Sequence, residues 1–300
     1  MYNRHKKRFW QQMWLDRSSY LMLAPFLFAF TIFTVIPISA SVVLSFTDYN
    51  FFTTPNFVGL QNYVSLFLND DLFLIALRNT LLLAFVTGPI SFIACFLFAW
   101  LINELPGKIR SFMTVIMYAP SISGMAFMVW TIILHGSRHG YVNNFLLRFG
   151  IVSTPIQFMQ DPQYMMFGVI LVTFWMSLGI GFLAFMAGLK TVDPQLYEAA
   201  SIDGIQNRFQ ELIYVTLPNM KPQLMFAAVM QIVAAFGAGM VSRQLHGEIP
   251  NDFATYTVTM HMHDFGQNRF EMGYASAMAV VMLIVMLLIH KVISTYLVEK

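Results

Sequence analysis

Six stretches of this chain, roughly 20–46, 76–102, 111–133, 165–189, 222–242 and 272–294, are almost unbroken runs of apolar residues. A helix needs about 20 such residues to cross the hydrocarbon of a bilayer. Inside hydrocarbon every backbone N–H and C=O must be satisfied within the protein, which leaves only helices and closed barrels. A barrel needs short strands of alternating polarity. These runs are long and continuous, with polar segments between them, so the barrel is excluded. The fold expected is an all-α integral membrane protein with six transmembrane helices. Composition agrees: 57% of residues are hydrophobic and 11% charged, against about 25% charged in soluble domains.

The basic opening "MYNRHKKRFWQQMWLDRSSY" precedes a run about twice the length of a signal-peptide core, with Pro25 and Pro37 inside it. It reads as a retained first helix. Lys and Arg accumulate on the cytoplasmic side of membrane proteins. With the N-terminus inside, that side holds Arg4, Lys6, Lys7, Arg8, Arg17, Lys108, Arg110, Lys190, Arg208, Lys221, Lys291 and Lys300. The other side holds Arg78, Arg138, Arg148, Arg243 and Arg269. Twelve against five places both termini in the cytoplasm of a plasma-membrane protein. The expected organisation is a cytoplasmic segment 1–19, a six-span body 20–297 and a short tail 298–300. Cys95 is the only cysteine, so no intramolecular disulfide or cysteine zinc site forms. No basic stripe with interleaved aromatics supports nucleic-acid binding.

Between their ends the runs lack ionisable side chains; Arg78, Glu104, Lys190, Arg243, Glu271 and His290 lie at or near their limits. Proton relays and counter-ion sites normally need such groups inside the membrane. Their absence argues against proton coupling and for a neutral substrate, and leaves sodium coupling through carbonyls and hydroxyls open. No phosphate loop, nucleophile elbow or zinc-helix motif occurs, so the chain is expected to be no enzyme and to hold no metal. His261, His263 and Asp264 in "TMHMHDF" have a spacing that suits a strand better than a helix face and read as an interfacial loop. His135 and His139 read as a polar loop, and Asn143 is no glycosylation sequon because residue 145 is Phe.

The charged stretch 190–222, "KTVDPQLYEAASIDGIQNRFQELIYVTLPNMKP", interrupts this apolar chain. Asp193 before Pro194 reads as an N-cap with proline at the first helical position. Gly204 supplies a left-handed residue to end that helix. Asn207 with Gln210 reads as a second helix start, which Pro218 and Pro222 are expected to interrupt. The stretch is therefore a helix, a turn and a helix, whose apolar residues Leu196, Ala199, Ala200, Phe209 and Ile213 form a compact knob. Short helices need a partner surface: the membrane face of the same chain, or another protein.

"YEAASIDG…F…VTLPNMKP" resembles the EAA loop of permease subunits in binding-protein-dependent ATP-driven importers, in the carbohydrate branch related to the maltose importer. "FVGLQNYVSLF", "RNTLL", "GYVNNFL", "WMSLGIGFLAFMAGLKTVDPQLYEAA" and "GYASAMAV" follow the same family in order. The resemblance implies an importer of a neutral sugar or oligosaccharide, with the 190–221 loop between spans 4 and 5 entering a cleft on an ATPase subunit. It implies Glu198 as the charged contact, Gly204 at the turn, Ala199 and Ala200 at a close-packed helix face, and Asp203 in support. It also implies as partners a second homologous permease, two ATP-binding subunits that hold ATP and magnesium themselves, and an extracytoplasmic sugar-binding protein. The segment 205–214 is one residue longer than usual in the family, an excess expected to be taken up in the turn "IQN". A sugar is held by hydrogen bonds and aromatic faces. The mid-span candidates are Gln231, Tyr118, Ser121, Ser123, Trp130, Trp175 and Ser177. The alternative reading is a stand-alone secondary transporter or channel for a neutral solute.

Overall fold

A computed structural model describes residues 17–298. The basic segment 1–16, on which part of the orientation argument rests, and residues 299–300 of the expected tail lie outside the described residues. Those described form helices and turns, with one isolated antiparallel bridge, Thr47 to Phe57, and no strand. The chain divides into two compact units.

The first unit comprises residues up to Tyr63 together with Phe265–Val280. Helix α1, Arg17–Leu44, passes through a π turn at Thr31–Val35, between Pro25 and Pro37, and buries none of its side chains. Beyond it the chain reverses through a pinned loop. The Val58 N–H donates to the Phe46 carbonyl at 2.8 Å. Asp48 accepts from the Asn56 backbone (2.7 Å) and side chain (3.1 Å). These bonds to the ionised carboxylate hold Asp48 below the usual aspartate range. Asn62 at the start of α2, Gln61–Leu68, donates to the carbonyls of Ser45 and Thr47 at 2.9 Å each.

The second unit comprises Val64–Asp264 and the chain from Val281 onward. Helix α3 is Asp71–Asn103, capped by Asp70, whose carboxylate accepts from the Phe73 N–H at 2.9 Å. The helix thus begins five residues before the apolar run 76–102, which leaves Arg78 two turns inside it, on its exposed surface. Helices α4 (Gly107–Ile122) and α5 (Phe127–Ile133) meet at 92°. The apolar run 111–133 is therefore a bent pair of helices. Pro120 removes a backbone donor, and Ser123 turns extended (φ −85°, ψ 110°) just before Gly124, so the ladder breaks there. Helix α6 is Tyr141–Arg148, and α7, Pro162–Leu189, starts behind the cap Asp161. Helices α8 (Pro194–Ile202) and α9 (Arg208–Glu211) form the charged stretch. Then come α10 (Lys221–Phe236), α11 (Gly239–His246), α12 (Val258–His263) and α13 (Met272–Val298). Among the described residues five helical stretches are long and apolar enough to span a membrane, α10 and α11 counting together as Lys221–His246, or six if the bent pair is one span.

Helices α3, α7 and α10 share a core of Cys95, Phe96, Ala99, Phe182, Phe185 and Ala227. Lipid is as apolar as these side chains, so burial from water does not hold such helices together; close packing and interhelical hydrogen bonds do. Glycines on α7 provide the approach. A Cβ on Gly181 would stand 2.5 Å from Gln231 Nε2, and one on Gly188 2.7 Å from Met220 Cε. At the other end of α3, buried Asn79 donates to the carbonyls of Phe253 and Tyr256 at 3.0 Å each. Thr80 accepts from the Val258 N–H at 3.0 Å. The strand-or-loop expectation for "TMHMHDF" is corrected: His261 lies on helix α12, 1% exposed, with Nε2 at 2.9 Å from Asp70 and Nδ1 at 3.3 Å from the Tyr256 hydroxyl. Tertiary bonds to α3 set this segment's conformation, and sequence spacing does not record them.

Candidate functional site

Between α7 and α10 the chain leaves the bundle and returns. Asp193 caps α8 by accepting from the Gln195 N–H at 2.9 Å, with Pro194 behind it. Gly204 ends the helix at φ +92°, and Ile205 N–H reaches back to the Ala200 carbonyl at 3.0 Å. That is the six-to-one bond of a left-handed helix end. Asn207 caps α9 by accepting from Gln210 N–H at 2.8 Å, and the Gln210 side chain accepts from Gln206 N–H at 3.0 Å. The reciprocal arm of the expected capping box thus lands one residue early.

The second helix departs from expectation. After Glu211 it passes through a π turn, Leu212–Thr216, and continues as Leu217–Asn219. Pro218 does not interrupt it; the break comes at Met220 (φ −104°, ψ 12°). A π turn holds one residue more than the α ladder. The π turn brings Leu212, Val215 and Thr216 inward, and Thr216 Oγ1 lies 2.9 Å from the Tyr197 hydroxyl.

The loop has two faces. Ala200, Leu212 and Val215 join the core beneath, beside Leu189, Val192 and Met220. Outward stand Glu198, Ala199, Asp203 and Gly204, beside Ile202 (86% exposed), Phe209 (63%) and Tyr214 (68%). The knob expected from Leu196, Ala199, Ala200, Phe209 and Ile213 thus buries only Ala200, and its other members point away from the protein. Large apolar side chains clustered on a surface mark an interaction site. The Glu198 carboxylate has no hydrogen bond or ion pair among the described residues.

One ion pair was invisible in the sequence. Arg208 donates to Glu211 at 2.8 Å and also reaches Glu104, at the end of α3, at 3.6 Å. The hydrogen bond to Glu211 and then the charge of Glu104 raise the guanidinium above its already high ordinary pKa. The Glu211 spacing of three was legible; the approach of Glu104 depends on the fold. Trp100, Glu104, Lys190, Tyr197 and Arg208 line a cleft of about 300 Å³ here.

The mid-span candidates gather along one stretch of α7. The rings of Trp175 and Trp130 meet edge to face at 5.7 Å. Ser177 Oγ bonds to Ser91 Oγ at 2.7 Å, and its carbonyl accepts from Gln231 Nε2 at 3.2 Å. Ser121 donates to the Met176 carbonyl (2.8 Å) and accepts from Gly179 N–H (3.0 Å). Tyr118 lies beside Gly179. Ser123 stands apart, exposed in the break between α4 and α5. Gln231 is 3% exposed and spends its amide nitrogen inside the protein, but its Oε1 has no partner, like Trp130 Nε1 and Thr173 Oγ1. Sequence reasoning missed Ser91 and Thr173, whose lone mid-span hydroxyls were the available signal. Gln231 also borders a slot of about 680 Å³ between α3, α10 and the end of α13, otherwise lined by apolar residues such as Phe85, Phe92 and Leu288. That lining suits hydrocarbon rather than a sugar.

Residues 105–300 match the family described as "Binding-protein-dependent transport system inner membrane component". A probable ABC transporter permease protein of Bacillus subtilis, YesP, is 33% identical over 91% of this chain and 87% of its own. The arabinooligosaccharides transport system permease protein AraP of the same organism is 30% identical over 95% of this chain and 90% of its own. A crystallised bacterial ABC transporter involved in importing the acidic polysaccharide alginate shares the fold. Its TM-score is 0.76 at 24% identity, over 97% of this chain and 99% of the matched one.

Proposed function

The chain belongs to the family of binding-protein-dependent transport system inner membrane components, and from that membership we propose that it is the permease subunit of an ATP-driven importer of a neutral sugar or oligosaccharide. Family membership removes the support for a stand-alone secondary transporter or channel. The observation that carries the reading is the outward face of the 190–221 loop: an unpaired Glu198 among exposed Ala199, Ile202, Phe209 and Tyr214, on a turn fixed by Gly204.

In this reading six spans cross the membrane, the bent α4–α5 pair being the third, and both termini are cytoplasmic. The loop enters a cleft on a nucleotide-binding subunit, and Glu198 meets a cation there, with Ala199, Ala200, Asp203 and Gly204 shaping the contact. Hydrolysis belongs to two such subunits, which hold ATP and magnesium. A second homologous permease completes the path, and an extracytoplasmic protein delivers the sugar. Loop and bundle move together because Ala200, Leu212 and Val215 share one core with α3, α7 and α10. Closely packed elements shift between discrete arrangements, so docking strain in the loop reaches the α7 stretch around Ser177.

The substrate contacts proposed are Gln231, Tyr118, Ser121, Ser123, Trp130, Trp175 and Ser177, all uncharged. The orphaned Gln231 Oε1 and Trp130 Nε1 are groups that a sugar hydroxyl satisfies at a gain, since an unmet buried polar group costs about 1–3 kcal/mol. The test is to co-purify the assembly, reconstitute it in liposomes and measure hydrolysis with and without sugar-loaded binding protein. The reading expects stimulation by the loaded protein together with sugar uptake. Uptake that persists in the absence of ATPase subunits would overturn it.

A further inference from the structure

The ends of α3 and α7 and the start of α9 enclose a cleft of about 300 Å³, which neither the coupling contact nor the substrate path uses. Its charged lining is balanced: Lys190 and Arg208 against Glu104 and Glu211. Arg208 spends N–H groups on both carboxylates, at 2.8 Å to Glu211 and 3.6 Å to Glu104, and a guanidinium has five to give. The glutamates use only their Oε2 atoms in these contacts, so each Oε1 is still able to accept. Among the described residues the Lys190 ammonium has no hydrogen bond or ion pair.

The cleft adjoins apolar surface on one side. Trp100, half-buried in its wall, lies one turn before the end of α3 at Asn103. Tryptophan concentrates at headgroup depth in membrane proteins, which puts the cleft at the membrane boundary. Leu97, Leu101 and Glu104 recur at spacings of four and three, which aligns them on one stripe of α3. Leu97 is 43% exposed and Leu101 57%. An apolar track on the span therefore leads to the carboxylate in the cleft, and apolar track and charged cleft together have the outline of an amphiphile.

We propose that the cleft binds a zwitterionic aminoalkyl phosphate, the headgroup of a phosphatidylethanolamine whose acyl chain lies along Leu97 and Leu101. The proposal rests on the importer reading, which puts this boundary in the cytoplasmic leaflet. The phosphate meets Lys190 and the remaining N–H groups of Arg208, and the ammonium meets Glu104 and Glu211. Charge decides the class. A purely anionic headgroup would gain the two cations but face two carboxylates, whereas a zwitterion pairs with both. A choline headgroup offers those carboxylates no N–H. A neutral sugar leaves the charges unanswered and has no use for the apolar track. The volume lies at the lower end of ligand pockets, which suits a headgroup rather than a whole lipid. Glu104 ends α3, Lys190 ends α7 and Arg208 starts α9, so the bound headgroup ties the loop to two spans.

The test uses the complete importer complex in phosphatidylcholine nanodiscs doped with a photoreactive phosphatidylethanolamine, and reads its capture by the permease. Capture is expected to saturate, to map to α3 around Leu97 and Leu101, and to be competed by phosphatidylethanolamine more strongly than by phosphatidylglycerol. Lys190→Gln and Glu104→Gln each remove a partner at opposite ends of the headgroup. Each is expected to weaken capture at least about tenfold, the worth of one charge-assisted hydrogen bond, in a complex that elutes as the unmodified one does. Lys190→Arg keeps most of the capture. Undiminished capture in both Gln variants, or equal competition by phosphatidylglycerol, overturns the proposal while the importer reading stands. Soluble glycerophosphoethanolamine that competes as well as the lipid overturns it too, because the ligand is then a free headgroup. Selective capture by a complex whose hydrolysis no loaded binding protein stimulates keeps the site and removes the importer reading.

Discussion

Gly204 offers the cleanest perturbation of the proposed coupling loop. Its φ is +92°, and a Cβ added there meets nothing within 4 Å. Steric overlap with neighbours is therefore absent, and a substitution costs only what the left-handed backbone costs. For an ordinary residue that is about 1–2 kcal/mol, and it is highest for a β-branched one. Asn, which visits this region readily, costs least. If docking requires the turn as seen, the penalty appears directly as weaker binding, and about 1.4 kcal/mol is tenfold. The expected order is Gly204 ≈ Gly204→Asn, then Gly204→Ala weaker by roughly 5–30-fold, then Gly204→Val weakest. Equilibrium binding of purified ATPase subunits to the permease in detergent reads this order, and thermal unfolding of the permease alone should change little. A Gly204→Asn variant as poor as Gly204→Val would refute the reasoning, because it would place the cost in the side chain rather than in φ. A Gly204→Val variant that binds normally would refute it from the other side.

Two further substitutions probe the neighbouring contacts. Glu104→Lys breaks one exposed ion pair, worth at most about 1 kcal/mol, whereas Arg208→Glu breaks the pairs to both Glu104 and Glu211. The charge-swapped double variant should recover only the part of the loss that runs through position 104, because an acidic group at position 208 still faces Glu211; the readout is sugar moved per ATP hydrolysed. Gly179→Ala would put a Cβ 2.1 Å from Ser121 Oγ and 2.7 Å from Ser121 Cβ, and overpacking of this kind costs about 1–3 kcal/mol. Heat-induced aggregation should therefore set in at lower temperature, and adding Ser121→Gly should restore part of the loss.

What the sequence showed and what it hid divide along physical lines. The capped start of α8, its glycine end and the cap of α9 are short-range events, encoded within four residues of one another, and Asp193, Gly204 and Asn207 announce them. Apolar length identified the spans for the same reason. The 92° bend between α4 and α5 was less legible, because Ser and Gly are common inside membrane helices and only their meeting with Pro120 breaks the ladder. The π turn at Leu212–Thr216 leaves no mark on the residue types. The pairing of Arg208 with Glu104, of His261 with Asp70 and of Gln231 with Ser177 joins residues 54 or more apart in the chain, where one sequence carries no signal. Which way the loop's apolar residues face was left open by the sequence, and the fold turns most of them outward. Leu196, Ala199, Phe209 and Ile213 look like core by type, but the loop's small interior is already filled by Ala200, Leu212 and Val215.

The most direct measurement of the central claim is the hydrolysis and uptake of a reconstituted Glu198→Lys complex. The carboxylate is exposed and unpaired in the permease, so its reversal leaves folding and membrane insertion intact. At a partly desolvated interface, loss of a charge partner costs about 2–5 kcal/mol. The expected result is a permease of normal yield that retains ATPase subunits poorly and takes up no sugar in response to loaded binding protein. Normal assembly with normal sugar-stimulated hydrolysis and uptake would contradict the account.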